Sequence, residues 1–143
     1  MTITFRHAEA EQELAACFPV MRELRPHLAD AREFLSRVQR QFAEGYRLLA
    51  AWQDAQPLGL AGYRVQENLI RGRFCYVDDL VVAASARRGR IGARLLDAVG
   101  SEARALGITR LVLDTAIDNA LGQRFYFRYG MLPTGLHFAM PLT

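Results

Sequence analysis

Leu80-Val81-Val82-Ala83-Ala84-Ser85-Ala86-Arg87-Arg88-Gly89-Arg90-Ile91-Gly92-Ala93-Arg94-Leu95-Leu96 decides the fold of this 143-residue chain. An apolar, β-branched run gives way to small residues, a basic glycine-containing turn follows, and helical spacing begins at Ile91, so the segment reads as strand, tight loop, helix. From Gly92 the series Gly92, Leu96, Val99, Ala103 and Leu106 lays a small or apolar stripe along one helical face. A loop opening such a helix aims unpaired backbone N–H groups at one point, where the helix dipole adds partial positive charge; this is an anion site. Arg87, Arg88, Arg90 and Arg94 surround it, and Gly89 and Gly92 allow positive φ or a close backbone approach. The loop is not a Walker A motif, which needs Gly-Lys-Ser or Gly-Lys-Thr, nor a dinucleotide fingerprint with its Gly-x-Gly-x-x-Gly.

Outward from that segment, composition narrows the class. Hydrophobic residues make up 51% and charged residues 23%, the balance of one water-soluble domain spanning 1–143. No apolar run approaches the roughly 20 residues of a membrane span, and the opening residues Met1 to Arg6 lack a secretory apolar core, so no membrane partner and a cytoplasmic location are expected. Cys17 and Cys75 form neither a disulfide framework nor a metal knuckle and read as buried free thiols. No His, Cys and Asp grouping has metal-ligand spacing, so no metal is expected. The net charge of +3 is carried almost wholly by arginine; it suits an anionic small ligand without requiring nucleic acid, for which no recognition pattern is present.

In chain order, a short strand at 3–6 leads into an amphipathic helix with Leu14, Cys17, Phe18, Met21 and Leu24 on one face, ended by Pro26. Asp30 N-caps a second helix carrying Phe34, Leu35, Val38 and Phe42, and Gly45 stops it. Strands at 46–52 and 58–65 form an antiparallel hairpin, and a turn near 68–72 leads to a fourth strand at 74–82. After the basic turn and its helix, 110–114 is a fifth strand, parallel to the fourth through a right-handed crossover. An aromatic helix follows Asn119 and stops at Gly130, and Leu136, Phe138 and Met140 alternate as a last strand. The expected fold class is α/β, a mixed sheet in the order β-α-α-β-β-β-α-β-α-β with helices on both faces.

That order and three local patterns resemble the GNAT superfamily, the acetyl-CoA-dependent N-acetyltransferases. The family's glycine loop, Arg/Gln-x-x-Gly-x-Gly/Ala, is met by Arg87-Arg88-Gly89-Arg90-Ile91-Gly92, with Arg90 where the first glycine is usual and Gly89 one place earlier. Asn119 followed by Tyr126-Phe127-Arg128-Tyr129-Gly130-Met131 resembles the family's Asn and Tyr-x-x-x-Gly-Phe, with Met for Phe. Two helices between strands one and two are the third.

The resemblance implies that parallel strands four and five splay apart and that the pantetheine arm of acetyl-CoA pairs with the fourth. Leu80 and Val82 would then offer backbone groups to pantetheine. Backbone amides of Arg88, Gly89, Arg90, Ile91, Gly92 and Ala93, with the Arg87 side chain, would hold the diphosphate. Asn119 would bond the pantetheine region, and Tyr126 would face the sulfur and protonate the departing thiolate. A backbone N–H near Leu80, Val81 or Val82 would meet the developing oxyanion.

An attacking alkylammonium has a pKa of about 10, so a base or water relay must remove its proton. Asp79 and Asp78, adjacent acids in an apolar strand, are the candidates, Asp79 being the one that adjoins the expected splay. Alternation lets only one face the cleft unless a bulge intervenes. Both acids also read as structural partners of Arg64, Arg71 or Arg73, and Tyr126 as part of an aromatic core. The expected activity is acetyl transfer to a primary amine of a small molecule or peptide by direct attack in a ternary complex, with no acyl-cysteine. A catalytically inactive CoA-binding sensor or partner module of the same fold is one alternative, and a phosphate-binding protein using the same helix terminus is another. A homodimer through the terminal strands is a further expectation.

Overall fold

The computed structural model describes residues 2–87 and 89–143. Five strands form one sheet in the order β1-β2-β3-β4-β5: β1 (Thr4–His7), β2 (Arg47–Gln53), β3 (Gln56–Asn68), β4 (Gly72–Val82) and β5 (Leu111–Leu113). The first four pair antiparallel and β4 pairs with β5 in parallel. This is the mixed sheet expected from the sequence.

Helices α1 (Glu11–Leu24) and α2 (Ala31–Phe42) cover one face of the sheet. Leu14, Phe18, Met21, Phe34 and Val38 pack there against Leu48, Trp52, Leu60 and Val81. Asp30 caps α2 as its position suggested, accepting from the Glu33 amide at 2.9 Å. Helix α3 (Ile91–Ala105) covers the other face. Its Leu95, Leu96 and Val99, none exposed, meet Ala51, Ala61, Cys75 and Val77. Alternating side chains of β2, β3 and β4 therefore feed two separate cores, which fixes the register, since a one-residue slip would exchange them. Helix α4 (Ala120–Tyr129) has no fully buried residue and leans half-buried Phe125, Tyr126 and Tyr129 on the α3 side.

Two sequence expectations need correction. Residues 131–143 form no strand; the alternation of Leu136, Phe138 and Met140 is present, but these side chains are 75%, 90% and 76% exposed and no ladder is made. A strand exists by pairing, and apolar alternation alone does not supply a partner. Second, β5 is shorter than 110–114 and only partly buried, because it is the edge of the sheet and β4 covers one side only.

Candidate active site

The parallel pair is joined at three positions: Cys75 opposite Leu111, Tyr76 opposite Val112 and Val77 opposite Leu113. Beyond them β4 continues to Val82 with β3 alone, and among the described residues no strand lies on its other side. The Ala83 amide donates to the Leu58 carbonyl of β3 at 2.8 Å, so by alternation the backbone groups of Leu80 and Val82 face away from β3, into the space β5 has left. The Arg87 Nε–H points at the Val82 carbonyl from that side at 3.5 Å. A strand edge without a strand partner, with a basic loop at its end, is therefore present.

The two acids sit where the strands part. Gly62 of β3 faces Asp79 and Tyr63 faces Val77, so Asp78 is the extra residue of a β-bulge. The bulge is what lets neighbouring acids share one face of the sheet, against simple alternation. Asp79 is held from two sides. The Tyr46 hydroxyl donates to Oδ2 at 2.7 Å, and Arg25 reaches Oδ1 through Nε at 3.0 Å and through its second nitrogen at 2.9 Å. Arg25 also donates to the Asp78 backbone carbonyl at 2.9 Å. Tyr46 gets there by crossing Gly62, where any Cβ would overlap its hydroxyl. Burial and the Asp79 charge push the Tyr46 phenol well above its ordinary range, so it stays a donor.

Asp78 has a looser environment. Its Oδ2 accepts from Arg64 Nε at 3.0 Å, and Arg64 is shared with Gln41 at 2.7 Å and Glu44 at 3.5 Å. Its Oδ1 has no hydrogen-bond partner among the described residues. Burial raises the Asp78 pKa from its ordinary value, with Arg64 opposing the shift. Of the three arginines expected as structural partners, Arg64 is one; Arg71 instead bonds Thr134 at 3.3 Å, and Arg73 pairs with neither acid.

The loop after β4 makes a single 3-10 turn (Ala84–Ala86), then passes through Gly89 at φ 101° and Arg90 at φ 58° into α3. Arg90 is the N-cap in the left-handed region, a conformation a non-glycine residue adopts at a cost of about 1–2 kcal/mol. Among the described residues no side chain caps the helix, and the first intrahelical bond runs from the Arg94 amide to the Arg90 carbonyl at 3.0 Å. The amides of Ile91, Gly92 and Ala93 are thus the helix's unpaired donors, although the Ile91 and Ala93 side chains are buried. Gly92 serves packing as well: a Cβ there would lie 3.2 Å from the Phe125 ring. Arg94 stacks its guanidinium 5.0 Å over Phe5. Arg88 lies outside the described residues.

Tyr126 is half-buried on α4, edge-on to Phe125 with ring centroids 5.3 Å apart. Its hydroxyl has no hydrogen-bond partner among the described residues; burial raises its pKa, and the charge of Arg25 lowers it in part. Asn119 is the α4 N-cap: its Oδ1 accepts from the Gly122 amide at 3.0 Å and its Nδ2 donates to Thr115 at 3.0 Å. Trp52 and Tyr63 are buried within the sheet. The Tyr63 hydroxyl donates to Glu102 at 2.8 Å and meets His7 Nε2 at 2.8 Å, on the α3 side. Cys17 and Cys75 are buried thiols pushed up to about 12 and about 11.

Sequence reasoning did not single out Tyr46 or Gly62, and it read Arg25 through Leu28 only as an interhelix connector that could border a cleft. The single available signal was a glycine in a long apolar strand, which marks a close approach by another group.

A family model described as the acetyltransferase (GNAT) family matches residues 8–131. The uncharacterized N-acetyltransferase YhdJ of Bacillus subtilis (strain 168) is 28% identical over 125 residues, 87% of each chain. The IAA acetyltransferase of Azospirillum brasilense is 36% identical over 89 residues, 62% of this chain and 56% of its own length. Among solved structures, the aminoglycoside N-acetyltransferase AAC(6')-Iy in complex with CoA superposes with a TM-score of 0.85 at 17% identity, covering 99% of this chain and 96% of that one.

Proposed function

The chain belongs to the acetyltransferase (GNAT) family and is an N-acetyltransferase, and from that premise we propose that it moves acetyl from acetyl-CoA to a primary amine of a small molecule or peptide by direct attack in a ternary complex. The observation that carries this reading is the parting of β4 and β5 after three residue pairs, which leaves Leu80 and Val82 without a strand partner on that side, beside a basic loop whose Arg87 side chain meets the Val82 carbonyl.

The residues fit the group. Pantetheine is a thin chain carrying amides, which an unpaired strand edge can hydrogen-bond as it would another strand. The diphosphate suits the free amides of Ile91, Gly92 and Ala93, with Arg87 and Arg90 adding charge. Acetyl-CoA supplies the acetyl group as a thioester whose thiol departs.

Asp78 is the proton acceptor. It stands where the strands separate, has one oxygen open, and its raised pKa brings its basicity closer to neutral pH, where a general base works best. Asp79, with both oxygens occupied, is a positioning residue that locks Arg25 and Tyr46 beside the cleft. Tyr126 is the proton donor for the departing sulfur, since its raised pKa keeps the phenol protonated. Asn119 spends its side chain on capping α4 and on Thr115, and its part is to hold α4, and so Tyr126, in place. Both cysteines are buried and held as thiols, which favours direct attack over an acyl-enzyme.

Incubation of the chain with acetyl-CoA and a library of amines, with free thiol followed by absorbance and products by mass, tests the reading. Thiol release that depends on an amine, matched by an acetylated product, is expected. Tight acetyl-CoA binding with no turnover across the library would instead identify a sensor.

A further inference from the structure

We infer that Arg64 and Gln41 are positioning residues for acetyl transfer: together they grip one oxygen of Asp78 and leave the other open where β4 and β5 part. This rests on the reading of Asp78 as the proton acceptor and adds the device that aims it.

Arg64 lies on β3 opposite Tyr76 of β4, and only 15% of its side chain is exposed. An arginine at that depth needs acceptors around it, since desolvating an unpaired guanidinium is costly. Each of its nitrogens has one. Nε donates to Asp78 Oδ2 at 3.0 Å, Nη2 to Gln41 Oε1 at 2.7 Å, and Nη1 lies 3.5 Å from Glu44. The guanidinium also stands 5.3 Å from the centre of the Tyr46 ring, a cation–π contact. A rigid planar group held at three corners has little freedom to turn, and it confines the carboxylate bonded to it.

Gln41 is what anchors that group. It belongs to the last turn of α2, and its main chain and side chain both serve the site. Its carbonyl accepts from the Tyr46 amide at 3.0 Å, while its side-chain oxygen accepts from Arg64. Tyr46 in turn donates to Asp79. One residue therefore ties both acids to the end of a helix, Asp79 through Tyr46 and Asp78 through Arg64. A buried ion pair gains little net stability over apolar residues of similar size, so the arrangement points to the work of Asp78 and not to the fold.

Arg64 also supplies charge. Asp78 is faced by Asp79 on β4, by Arg25 from the segment after α1, and by the Tyr46 and Tyr76 phenols, with Glu44 on the far side of Arg64. Burial and the Asp79 charge favour the neutral acid; Arg64, more than Arg25, favours the carboxylate. Arg64 thereby keeps Asp78 able to accept a proton.

Rates across pH for Arg64→Gln, Arg64→Lys and Gln41→Ala, with Asp78→Asn beside them, test this. Arg64→Gln is expected to lower kcat by about tenfold or more, to leave KM for acetyl-CoA unchanged and to move the acidic limb to higher pH. Arg64→Lys restores charge without the planar donor set, so it should return the limb towards wild type and leave the plateau low. Gln41→Ala keeps every charge and should lower the plateau without moving the limb. An Arg64→Gln limb that stays in place, or a kcat loss no larger than the loss of folded protein, overturns the inference and leaves Arg64 a structural partner. Asp78→Asn tells that failure from a failure of the underlying reading. A variant that keeps its acidic limb removes Asp78 as base, and the inference with it; a lost limb beside an unmoved Arg64→Gln limb removes the inference alone. Should Arg64→Gln not fold, Gln41→Ala decides: a lowered plateau at unchanged KM supports the inference, and a wild-type plateau contradicts it.

Discussion

The Tyr46 hydroxyl donates to the Asp79 carboxylate at 2.7 Å directly over Gly62, the residue that faces Asp79 across the β3–β4 ladder. Strands β3 and β4 and the residue just before β2 thereby contribute one residue each to a single contact, and the glycine is the condition for it. Adding a methyl group at position 62 forces Tyr46 off Asp79. Gly62→Ala is expected to lower stability by about 2–4 kcal/mol, the sum of overpacking and a broken buried hydrogen bond. Urea denaturation checks it; a change below about 0.5 kcal/mol would mean that Tyr46 has another place to go.

The two acids should separate cleanly in kinetics. Asp78→Asn is expected to lower kcat by about 10²–10⁴-fold, the usual contribution of a general base, and to remove the acidic limb of the pH–rate profile. That limb should lie above the ordinary aspartate value of about 3.9, because burial raises the Asp78 pKa. Asp79→Asn should retain an acidic limb and lose stability, since it leaves Arg25 and Tyr46 with a weaker acceptor. Steady-state rates across pH for both variants give the answer, and the reverse pattern would exchange the roles.

The same shift has a stability consequence with a definite sign. A carboxyl whose folded pKa lies above its unfolded value adds stability below the unfolded pKa and loses it as pH rises through the folded one. Asp78→Asn should therefore gain stability relative to wild type near neutral pH, and the gain should shrink towards pH 4. Thermal melts of both proteins at several pH values test this, and a gain that grows on acidification would contradict it.

Tyr126→Phe is expected to reduce kcat at least tenfold while KM for acetyl-CoA changes by less than about twofold, the signature of a group used in the transition state. A variant with wild-type kcat would remove Tyr126 from proton transfer.

Arg90 occupies the left-handed region at φ 58° where the family's loop has glycine. Arg90→Gly relieves backbone strain of about 1–2 kcal/mol but frees the unfolded chain by about 0.4–1 kcal/mol, so stability should hold or rise slightly. If the guanidinium assists the diphosphate, CoA affinity should fall severalfold and become less sensitive to salt. Calorimetric titration at two ionic strengths is the check; unchanged affinity would confine the role of this residue to its backbone.

Much of this architecture was legible because it is local. The strand, turn and helix around Arg87 to Leu96, the Asp30 cap and the β2–β3 hairpin each follow from spacing and punctuation within a few residues. The bulge at Asp78 could be named as a possibility but not placed, since an extra residue in a ladder depends on the opposite strand. Arg25 and Tyr46 lie 54 and 33 positions from Asp79, and nothing local to either announces the meeting. Leu136 to Met140 show the converse: the pattern of a strand is written there, but pairing depends on what lies beside it.

The most direct measurement is residue-resolved amide exchange at Leu80 and Val82, with CoA and with adenosine 3',5'-diphosphate, which lacks pantetheine. CoA should slow both amides as well as those of Ile91 to Ala93, while the diphosphate should slow only the helix-terminal group. Leu80 and Val82 exchanging at the same rate with and without CoA would contradict the placement of its arm along the open edge of β4.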